Sequence, residues 1–87
     1  MFEERTIYTV MDETGTKTTI TLDKWIADIL QGHLTDVHDW VQKTYDKVAA
    51  EKPHLGRRQK GDLVRILSIR EAINTPAGID MMKDFLT

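Results

Sequence analysis

Lys17-Thr18-Thr19-Ile20-Thr21-Leu22-Asp23, running straight into Lys24-Trp25-Ile26-Ala27-Asp28-Ile29-Leu30, decides the fold, because its apolar period changes at a single residue. Up to Asp23 the pattern alternates. Thr18, Ile20 and Leu22 share one face of an extended chain, and Lys17, Thr19 and Thr21 share the other. Beyond Asp23 the apolar residues Trp25, Ile26, Ile29 and Leu30 recur at three and four, the spacing of one helix face, and Asp23 is well suited to cap that helix. A half-polar strand therefore feeds directly into a helix.

Working outward toward the N-terminus, Arg5-Thr6-Ile7-Tyr8-Thr9-Val10-Met11 is rich in β-branched and aromatic residues, and Asp12-Glu13-Thr14-Gly15-Thr16 has turn chemistry, with Gly15 free to take positive φ. The direct expectation is a hairpin of strands 5–11 and 17–22. A ribbon in which strand 17–22 pairs with its copy in a second subunit competes with it, and the two are compatible if each uses a different strand edge.

Working toward the C-terminus, Gln31-Gly32-His33-Leu34-Thr35-Asp36 reads as a glycine stop followed by the Thr35 or Asp36 cap of a new helix. Val37, Trp40, Val41, Tyr45 and Val48 carry that helix to about Ala50, and one unbroken helix from Lys24 to Ala50 is the alternative. Pro53 ends it. Another helix starts at about Arg57 or Asp62 and runs to Ile73, with Leu63, Ile66, Leu67, Arg70 and Ile73 grouped by spacing. Asn74-Thr75-Pro76 stops it and caps a terminal helix from Pro76 to Leu86, with Ile79, Met82, Phe85 and Leu86 apolar. The expected class is α+β: an N-terminal β-hairpin, or intersubunit β-ribbon, followed by three to four short helices in one domain spanning 1–87.

The chain has 87 residues and would bury about 60–65% of its unfolded surface, so dimerisation is a natural way to complete its core. It has no cysteine, which removes disulfides, Cys-ligated zinc and thiol catalysis, and fits a reducing cytoplasm. No apolar run reaches the roughly 20 residues of a membrane span, and Met1-Phe2-Glu3-Glu4-Arg5 is charged rather than signal-like. The expected localisation is cytoplasmic, with no membrane partner. The net charge of −2 is unevenly spread. Residues 52–73 hold Lys52, Arg57, Arg58, Lys60, Arg65 and Arg70 against Asp62 and Glu71, whereas residues 1–51 are acidic. A polarised surface of this kind suits nucleic acid or an acidic protein partner.

The strand and its junction with the helix resemble the ribbon-helix-helix repressors, whose short strand reads T-I-T-L-(S/D) or close to it before the first helix. In that family the strand pairs with its copy from a second subunit and the ribbon enters the major groove. The resemblance implies a homodimeric DNA-binding transcriptional regulator, with Lys17, Thr19 and Thr21 on the three base-reading positions. Their types fit the task, since a cation and hydroxyls are donors for base edges and phosphates. In the family the second helix anchors phosphate with its N-terminus. The start of the helix at Thr35, or the segment Arg57, Arg58 and Lys60, would play that part here, because cations and free backbone N–H groups converge at a helix start. The bland reading of the basic segment is a solvated loop.

Catalytic readings find little support. His33 and His38 lie five apart, which does not put them on one helix face, and with His54 they form no metal-binding pattern, so they read as exposed polar residues. Asp28, Asp36, Asp39 and Asp46 are spaced like a solvated helix face. Gly56-Arg57-Arg58-Gln59-Lys60-Gly61 lacks the P-loop pattern. Trp25 and Trp40 stand at apolar positions and read as core. No enzyme, cofactor or metal is expected. Besides the DNA-binding regulator, the alternative is a small protein-interaction module of antitoxin, immunity or phage-inhibitor type, binding another protein through its hairpin edge or its basic end.

Overall fold

The computed structural model describes residues 4–86, so the charged opening Met1-Phe2-Glu3 lies outside the described residues, as do the side chains of Phe85 and Leu86. Strand β1 (Arg5–Met11) and strand β2 (Lys17–Asp23) pair antiparallel within the chain, followed by α1 (Lys24–His33), α2 (Val37–Glu51), α3 (Arg57–Ile73) and α4 (Pro76–Leu86). The class is α+β, a hairpin followed by four helices.

The hairpin register places Tyr8 opposite Ile20, Thr6 opposite Leu22 and Val10 opposite Thr18 on the inner face. Tyr8, Val10, Ile20 and Leu22 are buried there, so strand 17–23 faces as its alternation requires. The connection turns on Gly15, which takes a φ of 83°, a conformation that costs other residues more. Asp12 organises this turn from inside: its Oδ1 accepts hydrogen bonds from Thr14 N, Thr14 Oγ1 and Thr16 N at 2.6–2.9 Å.

The first helix runs through Gly32 and ends at His33, with Leu34 donating its N–H back to Leu30. The break therefore exists but falls after the glycine. Asp36 then caps α2, accepting from Asp39 N at 3.0 Å. Asp23 occupies the N-cap position of α1, yet its carboxylate makes no capping bond and lies 3.7 Å from Arg65 Nη2 instead.

Helix α3 departs from its expected face. Its buried residues are Lys60, Val64, Ser68 and Ala72, every fourth position, while Ile66 is 60% exposed. Gly61 lets α3 pass close under the hairpin, and Leu63 and Leu67 only flank the core. The core proper adds Ile26, Ala27, Leu30, Val37, Val41, Tyr45 and Val48 from α1 and α2. Trp25 and Trp40 pack against it partly buried. Helix α4 docks on α3 through Gly78, where an added Cβ would stand 2.0 Å from the Ala72 carbonyl oxygen. Thr75 is buried at this corner; its hydroxyl donates to Ala72 O and accepts from Gly78 N.

Candidate nucleic-acid interface

The strand alternation that buries Ile20 and Leu22 turns the opposite side chains outward. The outer face of the hairpin pairs Met11 with Lys17, Thr9 with Thr19, Ile7 with Thr21 and Arg5 with Asp23. Lys17 and Thr19 are exposed and Thr21 is half-buried. Thr9, opposite Thr19, widens the hydroxyl set. Nothing in the sequence of strand 5–11 marked it, because its place follows from the register. The same face carries Ile7, 66% exposed, and Met11, 45% exposed.

The start of α3 lies beside β2. Thr18, Thr19, Ile20 and Thr21 form one side of a groove of about 390 Å³, and Arg57, Arg58, Gly61, Asp62 and Arg65 form the other. Thr19 and Thr21 and two of the three basic residues singled out at 57–60 thus share a site, Arg65, one turn beyond Gly61, joins them, and Lys17 stands outside the groove. Close approach is possible because Gly61 has no side chain; a Cβ there would meet Ile20 Cδ1 at 3.3 Å.

The cations differ in what they hold. Arg57 Nε lies 3.1 Å from Asp12 Oδ2, and Lys60 Nζ lies 2.8 Å from Glu13 Oε1. These two pairs clasp the hairpin turn to the first turns of α3. The Lys60 side chain is 4% exposed, so this ammonium serves the interior and is closed to a ligand in solution. Hydrogen bonds from the Thr14 hydroxyl and the Thr16 amide, with Arg57 adding a smaller attraction, hold the Asp12 carboxyl below its ordinary range. The hydrogen bond from Lys60 does the same for Glu13. Arg58 is exposed and has no carboxylate in ion-pair distance among the described residues. The N–H of Gly56 at the head of α3 is taken by Gln59 Oε1 at 3.0 Å.

Thr35 is not part of this arrangement. It lines a separate groove with Tyr8, Gln31 and His38, on the side of the hairpin where α2 covers β1. Asp36 and Asp39 stand at that helix start, and carboxylates there repel an anion.

His38 has a role its spacing did not reveal. Its Nε2 donates to the Thr9 carbonyl, and Gln42 of the next helical turn brackets Met11, accepting from its N–H at 2.8 Å and donating to its carbonyl at 2.9 Å. Helix α2 therefore satisfies the outer edge of β1 with side chains at its Thr9 and Met11 end. Burial raises the hydroxyl pKa of Tyr8 and Tyr45, and neither hydroxyl has a hydrogen-bond partner among the described residues.

Among the described residues, no helix is long and apolar enough to cross a membrane, and no group of three His, Cys, Asp or Glu residues is placed to hold a metal. No family model, curated protein or solved structure matches this chain.

Proposed function

We propose that this chain is a cytoplasmic, sequence-specific DNA-binding transcriptional regulator, in which the outer face of the hairpin enters the major groove as a two-stranded ribbon. Lys17, Thr19 and Thr21 read base edges, and Arg58, with Arg57, holds phosphate. The observation that carries the reading is the shared groove: base-edge donors on β2 lie beside guanidinium groups at the head of α3. A two-stranded antiparallel ribbon is a shape that the major groove admits. The resemblance of the strand to the ribbon-helix-helix repressors supports the same assignment, and so does the need of a small chain for further burial, which a homodimer on a two-fold operator would meet.

The test is fluorescence anisotropy on a duplex selected from a random pool and on an unselected duplex, across a series of salt concentrations. Phosphate contacts give a log affinity that falls linearly with log salt. Thr19→Ala relaxes preference at particular base pairs by about 1–3 kcal/mol, whereas Arg58→Ala weakens both duplexes alike and lowers the salt slope by about one. Absence of binding to either duplex at low salt refutes the proposal. Sedimentation equilibrium reads the dimer separately.

A protein-interaction module is the second reading, and the exposed Ile7 and Met11 favour it. Apolar side chains in mid-face contribute to protein contacts more than to phosphate contacts.

A further inference from the structure

The two edges of the hairpin are treated differently. Lys24 N–H donates to the Glu4 carbonyl at one end of the ladder, and Asp12 N–H donates to the Thr16 carbonyl at the other. In an antiparallel pair, residues that exchange such bonds alternate with residues whose N–H and C=O point out of the ladder. Counting inward from both ends, the outward set is Arg5, Ile7, Thr9 and Met11 on β1, and Lys17, Thr19, Thr21 and Asp23 on β2. The bonds from His38 to Thr9 and between Gln42 and Met11 agree with this phase. On β1 the outward carbonyl of Thr9 and both outward groups of Met11 are thus covered by α2.

On β2 the outward N–H and C=O groups of Thr19 and Thr21 meet no hydrogen-bond partner among the described residues. They open onto the groove. Four consecutive residues, Thr18 to Thr21, line it. Successive side chains point to opposite faces of a strand, so a groove that touches all four runs along the strand's edge. The opposite wall carries Arg58, which has no carboxylate partner among the described residues, and Arg65, whose contact with Asp23 is 3.7 Å long and half-exposed on the arginine. Asp62 is the acid on that wall.

An uncovered strand edge invites another strand, and proteins usually blunt it. We propose that the edge of β2 docks an extended acidic segment of a partner protein, which pairs with Thr19 and Thr21 as an added strand and sets carboxylates on Arg58 and Arg65. The inference rests on the protein-interaction reading and gives it a partner of defined chemistry. Main-chain pairing supplies affinity in such complexes, and side-chain contacts supply selectivity. Arg58 and Arg65 stand two helical turns, roughly 10 Å, apart along α3. Carboxylates on one face of an added strand recur about every 7 Å, and the long arginine side chains span the remaining roughly 3 Å, so an alternating acidic strand offers one to each. A second copy of β2 fits less well: it brings Lys17 and no acid before Asp23, and two-fold pairing would set the arginines against their own copies. Duplex DNA uses the cations but leaves the outward main-chain groups of Thr19 and Thr21 without a strand to pair with.

The test is titration of the ¹⁵N-labelled full chain with a short synthetic peptide alternating glutamate and valine, followed by amide chemical shifts and hydrogen exchange. Saturable binding with slowed exchange of the Thr19 and Thr21 amides is the expected result, together with at least a tenfold loss of affinity in Arg58→Glu/Arg65→Glu. A peptide of the same composition, N-methylated at alternate residues on its pairing edge, should bind at least tenfold more weakly, because it cannot complete the ladder. Equal binding of the two peptides overturns the inference, as does the absence of any binding. Shifts confined to Ile7 and Met11 also overturn it while leaving the broader protein-interaction reading in place. Slowed exchange at Thr19 and Thr21 that grows with protein concentration in the absence of peptide assigns the edge to a second copy and overturns it as well.

Discussion

Gly61 and Ile20 meet where α3 passes under β2, and their contact can be measured by changing both. Ile20 is 2% exposed, so Ile20→Val removes one buried methyl group and costs about 1 kcal/mol. Gly61→Ala has two opposed effects. Gly61 lies inside α3, where alanine is favoured over glycine by about 1 kcal/mol. Its new Cβ would stand 3.3 Å from Ile20 Cδ1, inside the roughly 3.5–4.0 Å of a relaxed carbon contact, and displacing that methyl from its rotamer costs about 0.5–1.5 kcal/mol. Gly61→Ala alone is therefore near neutral. In the Ile20→Val background the clashing methyl is gone, and the full helical gain of about 1 kcal/mol is realised. The double variant should match the parent in stability, with a favourable coupling of roughly 0.5–1.5 kcal/mol between the two sites. Urea unfolding followed by the fluorescence of Trp25 and Trp40, both packed against the core, reads all four corners of the cycle. Additivity within about 0.3 kcal/mol would refute this account of the β2–α3 contact.

Three further outcomes follow from the packing and the charges. Ile20→Ala should destabilise by about 2–5 kcal/mol and Thr19→Ala by less than about 0.5 kcal/mol in the same assay, since one side chain is buried and the other exposed. Gly78→Ala should release α4 from α3, because no Cβ fits beside the Ala72 carbonyl; hydrogen exchange should accelerate across Pro76–Leu86 and stay slow in the hairpin. The folded-state carboxyls of Asp12 and Glu13 titrate below their unfolded values, so the stability they contribute is complete above the ordinary carboxylate range near pH 4 and is lost as pH falls through the lower folded values. The unfolding midpoint should thus drop on acidification below about pH 4, and Asp12→Asn should make that acid limb shallower.

The sequence by itself determined the elements and their order. The change of period at Asp23, the turn chemistry at Asp12–Thr16 and the prolines at 53 and 76 are local signals, and local chemistry placed β1, β2, α2 and α4 within about a residue of their bounds, while it set the end of α3 and left its start open between Arg57 and Asp62. It also fixed which face of β2 is buried, because alternation leaves no other choice. Tertiary structure decided the rest. The face that α3 buries follows from the neighbours it packs between, β2 at Gly61 and α4 at Ala72, so Val64, Ser68 and Ala72 are buried while the larger Ile66 is exposed. Lys60 became an interior ion-pair partner because the turn at Glu13 folds onto it, forty-seven residues away in the chain. His38 and Gln42 came to cover β1 at Thr9 and Met11 because α2 runs past that end, while the edge of β2 stayed open beside Arg58. Such pairings join residues distant in sequence, so no local period encodes them; only the packing of α2 beside β1 and α3 beside β2 under one hairpin brings them into contact.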